Sequence, residues 1–201
     1  YAVMMGVKLS KNSWGGGGAS SSLYNAIQNA DLAGHIFVAA AGNSGVNSDN
    51  NPHYPSSYDL PNIISVAATD NRDNLANFSN YGVNSVDLGA PGVDIASTYS
   101  GSSYVWSSGT SMAAPHVTGV AAMVWSHTPG MTHVQVIAQI LGNTRPLASL
   151  QGKTATGGML NALAAATGDP PPPPAEPTAT PTGLSATDNA NGSAAITWND
   201  V

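Results

Sequence analysis

The feature that most constrains the fold is a pair of continuous apolar runs separated by a polar loop. Residues 35–41 read HIFVAAA and residues 62–68 read NIISVAA. Neither run alternates apolar with polar residues, as a strand with one solvent-facing side would. Continuous runs of this length are typical of strands buried on both faces of a parallel sheet. The chain is therefore predicted to contain a sheet flanked by helices.

Helical and extended patterns alternate around these runs. Residues 20–33 carry apolar side chains at helical spacing, between a predicted strand at residues 2–9 and the run at 35–41. A strand, a helix and a strand in this order form a right-handed crossover. The fold class is therefore α/β with a largely parallel sheet. Further strands are predicted at residues 85–88 and 94–99, and further helices at 111–127, 132–141 and 158–166.

Composition divides the chain into two modules. Five consecutive prolines, Pro170 to Pro174, lie in a segment that we interpret as a linker, residues 169–181. Polyproline segments are extended and separate domains semi-rigidly. Residues 1–168 form the first module, and residues 182–201 are predicted to contain two short strands that begin a partial β-sandwich.

Charge and hydropathy exclude two classes of partner. The net charge is −6, and the five cationic side chains, Lys8, Lys11, Arg72, Arg145 and Lys153, are scattered along the sequence. Nucleic-acid binding requires clustered cations, so we expect no nucleic-acid partner. The longest apolar run, residues 117–125, is interrupted by Thr118 and Gly119, and it is far shorter than the roughly 20 residues of a transmembrane helix. We therefore expect no transmembrane segment.

Two glycine-rich loops follow predicted strands of the sheet. Residues 10–18 read SKNSWGGGG and residues 42–45 read GNSG. Open parallel sheets bind ligands beyond the carboxyl ends of their strands, and glycines let another backbone approach closely. An extended peptide could pair with such an edge, although a flexible turn explains Gly15 to Gly18 equally well.

Ser111 lies at the predicted start of a helix, because Pro115 is best tolerated in a first helical turn. The free amides and the dipole at a helix N-terminus favour negative charge. This environment suits a nucleophilic serine whose own N–H stabilises an oxyanion. A serine at a helix start is more commonly an N-cap, so position alone leaves both interpretations open.

The surrounding sequence favours the nucleophile. Residues 109–119, GTSMAAPHVTG, resemble the nucleophile motif of the subtilisin-like serine proteases (subtilases, peptidase family S8). Residues 39–43, AAAGN, are similar to the segment of that family that carries its oxyanion asparagine. Residues 12–16, NSWGG, resemble its substrate-pairing strand, and residues 87–93, DLGAPGV, a stretch before its nucleophile. The resemblance covers about residues 1–166, the carboxyl-terminal part of a subtilase catalytic domain.

The resemblance implies a serine endopeptidase that acts on peptide or protein substrates. Ser111 would form the acyl-enzyme, and the Asn43 amide would donate to the oxyanion beside the Ser111 N–H. The implied substrate-binding residues lie on either side of these two: Ser13, Trp14, Gly15, Ala41, Gly42 and Thr110. Because Ala41 and Gly42 are small, the pocket for the side chain before the scissile bond is expected to be roomy and apolar.

The other two triad members of that family are missing from the sequence. Its D-[ST]-G and H-G-T-H motifs do not occur between Tyr1 and Val201, so the catalytic aspartate and histidine are expected upstream of Tyr1. None of the five histidines is assigned to catalysis, and His116 is interpreted as a structural residue on its helix. This segment alone is therefore predicted to be inactive. The alternative is a non-catalytic scaffold that binds peptides and carries adhesive β modules.

Three further expectations depend on weaker signals. The loop at residues 47–58 contains Asp49 and neighbouring asparagines, so it could hold a structural calcium ion, although such loops more often satisfy their own turns. No cofactor is required for the chemistry. Residues 181–186 and 195–198 resemble the first strands of a fibronectin type III module, which implies attachment to a polymer or cell surface. A secreted or extracellular location is expected.

Overall fold

A computed structural model describes residues 1–168 and two later backbone segments, residues 185–189 and 193–197. Over these residues no helix is both long enough and apolar enough to cross a bilayer. The predicted linker at residues 169–181 lies outside the described residues. Residues 1–168 and the later segments belong to two separate compact units, and each is described by itself.

A six-stranded sheet organises the first unit, in the order β1-β2-β3-β4-β8-β7. Its strands are β1 (Leu9–Asn12), β2 (Ile36–Ala40), β3 (Ile63–Thr69), β4 (Leu88–Pro91), β7 (Arg145–Pro146) and β8 (Gly158–Met159). Every pairing is parallel except β7 with β8. A separate antiparallel hairpin consists of β5 (Ile95–Tyr99) and β6 (Ser103–Ser107).

Four helices accompany the sheet: α1 (Ser21–Leu32), α2 (Thr110–His127), α3 (His133–Gly142) and α4 (Ala162–Thr167). Three of them begin at a side-chain cap that the preceding residue supplies. Ser20 caps α1, Thr132 caps α3 and Asn161 caps α4, each by accepting a hydrogen bond from a backbone N–H of the first turn. Helix α2 begins after Gly109 without a local side-chain cap.

The two faces of the sheet are covered by different helices. Ile36, Val38 and Ala40 of β2 pack in one core with buried residues of α2 and α3. Phe37 and Ala39, which point to the opposite face, pack in a second core with Ile27 of α1. Burial on both faces explains why the sequence of β2 does not alternate. The predicted α/β architecture with a largely parallel sheet is confirmed.

Several predicted boundaries were wrong. The first strand was predicted at residues 2–9, but residues 2–6 form turns and β1 runs from Leu9 into the polar residues Ser10 to Asn12. This is an edge strand whose extent is set by its pairing with β2, not by an apolar pattern. The segment predicted as a strand at residues 85–88 enters β4 only at Leu88. The last helix begins at Ala162, because Asn161 caps it, and not at Gly158.

The later segments form an antiparallel hairpin of β9 (Ser185–Asn189) and β10 (Ser193–Thr197). Both strands were predicted, with bounds a few residues different. One hairpin does not define a β-sandwich, and Trp198 lies outside the described residues. The fibronectin type III resemblance therefore stays a prediction.

Candidate active site

Ser13, just after β1, and Ser111, in the first turn of α2, lie in contact although 98 residues separate them. The Ser13 hydroxyl donates to the Ser111 carbonyl at 2.8 Å. In the other direction, Ser111 Oγ lies 3.4 Å from the Ser13 carbonyl oxygen. The sheet produces this contact because parallel strands present their carboxyl ends, and the loops that follow, along one edge.

The missing local cap of α2 is supplied by Asn43, from the loop after β2. Gly109 has no side chain, so it cannot bond the free amides of the first turn. The Asn43 side-chain oxygen accepts both the Thr110 N–H and the Thr110 hydroxyl, each at 2.9 Å. Asn43 therefore fixes the start of the helix that carries Ser111.

This capping orients the Asn43 amide. Because its Oδ1 accepts two hydrogen bonds from Thr110, its Nδ2 is left as a donor. Within the described residues neither Nδ2 nor the Ser111 backbone N–H has a hydrogen-bond acceptor. Two unpaired donors at a helix N-terminus favour a developing negative charge. The arrangement is chemically suited to stabilising an oxyanion.

Pro115 explains why the Ser111 carbonyl can accept from Ser13. Pro115 lies inside α2, beyond the first turn where it was expected. A residue at this position would normally donate its N–H to the carbonyl four residues earlier, but proline has no N–H. The freed carbonyl belongs to Ser111, and the Ser13 hydroxyl satisfies it. A helix defect thus joins α2 to the loop after β1.

The loop that carries Asn43 is held from both sides. The Gly42 N–H donates to the Thr110 hydroxyl at 3.2 Å, and the Asn80 N–H donates to the Gly42 carbonyl at 2.9 Å. The Asn80 side-chain oxygen in turn accepts the Ser44 N–H at 2.9 Å. Gly42 has φ of +109°, and a Cβ there would clash with Asn80. Asn80 was missed by sequence reasoning, because no motif links it to a loop nearly 40 residues earlier.

Two predicted substrate-binding residues have different surroundings from those expected. Thr110 is fully buried, and its hydroxyl bonds Asn43 and Gly42, so its side chain positions the loop that carries Asn43. The Ala41 side chain is also fully buried, against Ala67 and Val86, and its place in a pocket wall stays a prediction. Gly15 is exposed, and Trp14, half-exposed, packs edge-on against Phe37 with ring centroids 6.3 Å apart.

The expectation of a roomy, apolar slot stays a prediction, and a ring of the protein itself lies beside Gly42. The imidazole of His53, from the loop between β2 and β3, lies against both Gly15 and Gly42. A Cβ on Gly42 would approach His53 Cδ2 to 2.9 Å. The small residues therefore make room for a ring of the protein itself. Sequence reasoning placed His53 in a loop and could not see which glycines it contacts.

No histidine bonds Ser111 Oγ in the part of the chain that the structure describes. His116 bonds the Met112 carbonyl at 2.9 Å, which agrees with the structural role predicted for it. His35 is buried between the Val7 carbonyl and the Ser10 hydroxyl, and His133 bonds the Asp31 carboxylate at 2.7 Å. The described part of the site therefore has a serine with two unpaired N–H donors beside it and no histidine bonded to its hydroxyl.

The loop at residues 47–58 offers little to a calcium ion through its side chains. The Asp49 carboxylate already accepts hydrogen bonds from the Ser85 hydroxyl at 2.7 Å and from the Asn84 N–H at 3.1 Å. These bonds hold the pKa of Asp49 below its ordinary value, although burial acts in the opposite direction as the largest single influence. Over the described residues, no group of three or more His, Cys, Asp or Glu side chains could hold a metal. The donor set does not favour calcium.

Comparison with known proteins identifies the relatives of the chain. Residues 1–180 match the model of the subtilase family, peptidase S8. M-protease of Shouchella clausii is 41% identical over 171 residues, which cover 82% of this chain and 41% of that protein. Subtilisin BL of Lederbergia lenta is 40% identical over 167 residues, covering 82% of this chain and 58% of that protein. The chain thus spans about half the length of these relatives.

Solved structures show the same likeness in three dimensions. A protease of Pseudoalteromonas arctica superposes with a TM-score of 0.71 at 34% identity, over 80% of this chain and 51% of that one. The prenylagaramide maturation protease PagA also gives a TM-score of 0.71, at 29% identity, over 82% of this chain and 63% of that one.

Proposed function

The chain belongs to the subtilase family, and from this premise we propose that the protein is a serine endopeptidase. Ser111 attacks the carbonyl carbon of the scissile peptide bond and forms an acyl-enzyme, which water then hydrolyses. The oxyanion that develops at that carbonyl accepts hydrogen bonds from Asn43 Nδ2 and from the Ser111 N–H. Substrates are peptides or proteins.

The observation that carries this proposal is the orientation of Asn43. Its Oδ1 is bound to Thr110 in the same helical turn as Ser111, and its Nδ2 has no acceptor among the described residues. A mere cap needs only the oxygen, and serine or aspartate would serve equally well. An amide leaves a donor beside the serine, which is what acyl transfer requires.

The general base is the missing component, and we propose that sequence upstream of Tyr1 supplies the triad histidine and aspartate. Among the described residues, Ser111 Oγ hydrogen-bonds the Ser13 carbonyl, which cannot receive its proton. A histidine that approaches Ser111 from the open side would accept that proton and pass it to the leaving amine. The 201-residue chain by itself is then inactive.

The test is a fluorophosphonate probe applied to the full-length gene product. A probe that labels Ser111, together with peptide hydrolysis that disappears in Ser111→Ala, supports the endopeptidase. The 201-residue chain serves as the control and should neither react at a comparable rate nor hydrolyse the peptide. A full-length product that binds peptides without reacting would instead support the non-catalytic scaffold.

The substrate-side surface follows from the same geometry. We propose that the exposed backbone of Trp14 and Gly15 pairs with an extended substrate. In this proposal Ser13, which bonds Ser111, and Gly42, which bonds Thr110, lie on the two sides of the substrate cleft. A secreted location and attachment through the carboxyl-terminal module are further proposals. Immunodetection of the full-length product in culture medium tests the first, and retention of residues 182–201 fused to a reporter on cell walls tests the second.

A structural calcium ion in the loop at residues 47–58 is a separate proposal, and the bonds of Asp49 to Ser85 and Asn84 weigh against it. If an ion binds there, the thermal midpoint should rise when calcium replaces EGTA, because ligand binding to the folded state stabilises it. An unchanged midpoint would reject the site.

A further inference from the structure

A cavity of about 570 Å³ lies at the far end of α2 from Ser111, between that helix, α3 and α4. Met123, His127 and Met131 line it from α2 and the turn that follows. Further lining comes from Gln139 of α3 and from residues 165–167 at the end of α4. No aspartate, glutamate, lysine or arginine lines the cavity in the part of the chain that the structure describes. The side chains there that bind metals most readily are therefore two thioethers and one imidazole.

Met123 and His127 lie on the same face of α2. They are four residues apart in the helix, which puts their Cβ atoms about 5–6 Å from each other. Both side chains are exposed, that of Met123 to 41%. The His127 ring has no hydrogen-bond partner among the described residues, whereas each of the other four histidines has one. A sulfur atom and an imidazole nitrogen are thus both available to a ligand in the cavity.

The turn after α2 brings Met131 back to the end of this helix. The Met131 N–H donates to the Thr128 carbonyl at 3.1 Å, and the Met131 carbonyl accepts the Trp125 indole N–H at 2.9 Å. These two bonds fix the Met131 backbone against the last turn of α2, next to the face that carries Met123 and His127. Because a methionine side chain has three rotatable bonds, both sulfur atoms can adjust to a shared ligand.

The chemistry of these groups favours a soft monovalent cation. Hard ions such as Ca²⁺ and Mg²⁺ need several oxygen ligands, mainly carboxylates, and Zn²⁺ sites use thiolates, imidazoles and carboxylates. The described lining offers a single imidazole and no carboxylate. Thioether sulfur is a soft ligand that favours Cu(I), and imidazole also suits copper. In addition, the partial negative charge at a helix C-terminus favours a cation beside His127, the last residue of α2.

We propose that Met123, His127 and Met131 bind one soft monovalent cation, Cu(I) or its analogue Ag(I), through two sulfur atoms and one imidazole nitrogen. The ion binds without a change in oxidation state. Once bound, it links the last turn of α2 to the turn before α3, so it should raise the thermal midpoint of the folded protein. This site is independent of the proposed function, because none of its residues contacts Ser111 or Asn43.

The test is a titration of the full-length gene product with Cu(I) under anaerobic conditions, in a Ser111→Ala background that excludes self-cleavage. Bicinchoninate competes for the ion, and the absorbance of its copper complex reports how much Cu(I) the protein holds. Met123→Leu, Met131→Leu and His127→Gln should each weaken binding by about tenfold or more, because even an outer-shell partner commonly contributes that much to a metal site. The double methionine variant should bind one Cu(I) fewer than its parent.

The controls separate loss of a ligand from loss of the fold. Leucine has nearly the volume of methionine, so without metal these variants should keep the thermal midpoint of their parent within a few degrees. Met5→Leu removes an exposed methionine that does not line the cavity, and it should leave the affinity unchanged. If the double methionine variant bound as much Cu(I) as its parent, or if Met5→Leu lost as much affinity as Met123→Leu, the inference would be overturned.

A second measurement identifies the sulfur ligands directly. The protein is labelled with ¹³C at its methionine methyl groups and titrated with silver nitrate in a buffer without chloride, and the resonances are assigned with the leucine variants. With the first equivalent of Ag(I), the methyl resonances of Met123 and Met131 should shift, and those of the other four methionines in residues 1–201 should not. Shifts confined to Met4 and Met5 would place the ion near the first residues of the chain and refute the cavity site.

Discussion

Helices α2 and α3 follow each other closely in the chain but begin in different ways. Helix α3 starts with a capping box: the Thr132 hydroxyl accepts the Gln135 N–H, and the Gln135 side chain accepts the Thr132 N–H at 2.8 Å. Helix α2 starts at Gly109 and is capped by Asn43, 67 residues from Thr110. One helix start is complete within four residues, whereas the other depends on a distant loop.

The difference shows how a stable element becomes a candidate active site. Because Thr132 and Gln135 satisfy each other, α3 is capped by residues of its own start, and its buried face serves packing. At α2, the distant cap satisfies Thr110 but leaves Asn43 Nδ2 and the Ser111 N–H as donors. Incomplete local capping is therefore the structural origin of the two unpaired donors beside Ser111.

The substitution with the largest expected effect removes the proposed nucleophile and leaves the cap of α2 in place. Ser111→Ala should abolish peptide hydrolysis by the full-length product, since loss of the nucleophile costs about 10⁶ in kcat in a subtilisin. The thermal midpoint should stay within experimental error, because the Asn43 cap contacts Thr110 and not the Ser111 side chain. Steady-state kinetics and calorimetry on the same sample check both statements. Residual turnover close to that of the unaltered protein would show that another residue is the nucleophile.

Asn43 combines a cap with the proposed oxyanion donor, and two substitutions separate these roles. Asn43→Ala should lower kcat by about 10²–10³ and reduce the free energy of unfolding by about 1 kcal/mol. Asn43→Asp should lower kcat at least as much but preserve stability, because a carboxylate still accepts from Thr110 and interacts favourably with the helix dipole. Kinetics and denaturant unfolding distinguish the two. If both variants were as active as the unaltered protein, Asn43 would not be a donor to the oxyanion.

The matched substitution in α3 should affect stability alone. Thr132→Ala removes the local cap and should cost about 1 kcal/mol of unfolding free energy. Activity should not change, because this capping box makes no contact with the α2 start. Denaturant unfolding beside kcat/KM is the measurement. A substantial loss of activity would show that the capping box of α3 affects the candidate active site at the start of α2.

The smallest expected effect is the coupling between Ser13 and Pro115. Ser13→Ala leaves the Ser111 carbonyl unsatisfied and should destabilise by about 1 kcal/mol. In a Pro115→Ala background the new N–H can bond that carbonyl, so the same substitution should cost less. A double-mutant cycle by denaturant unfolding should give a coupling energy of about 0.5–1 kcal/mol. Strict additivity would mean that the missing proline N–H does not explain the Ser13 contact.

Prediction from sequence succeeded where local pattern decides structure. The apolar residues of β2 and β3 and the spacing in α1 predicted the main layers of the fold. A strand that is buried on both faces consists mostly of apolar residues, and the sequence shows this directly. The edge strand β1 and the two-residue strands β7 and β8 were misplaced or missed. Their extent is set by pairing with neighbours, which a short polar segment does not reveal.

For the candidate site, the motif around Ser111 and the AAAGN segment identified which residues to examine, and the structure decided what each one contacts. The hydroxyl of Thr110, which was expected at the substrate, bonds Asn43. The side chain of Ala41, which was expected in a pocket wall, packs with Ala67 and Val86. Both expectations stay predictions. His53 carried no signal, since its contacts are with Gly42 and Gly15, which lie 11 and 38 residues earlier in the chain.

The sequence by itself determined the layers of the fold, the position of Ser111 near a helix start and the two glycine-rich loops, because these depend on periodicity and on backbone conformations that few residues allow. Only the tertiary structure decided that Asn43 caps α2 with its oxygen and leaves its nitrogen without an acceptor among the described residues, and that the His53 ring lies against Gly15 and Gly42. These features are hydrogen bonds and contacts between loops far apart in the chain. Their geometry exists only once the parallel sheet has brought the carboxyl ends of its strands to one edge.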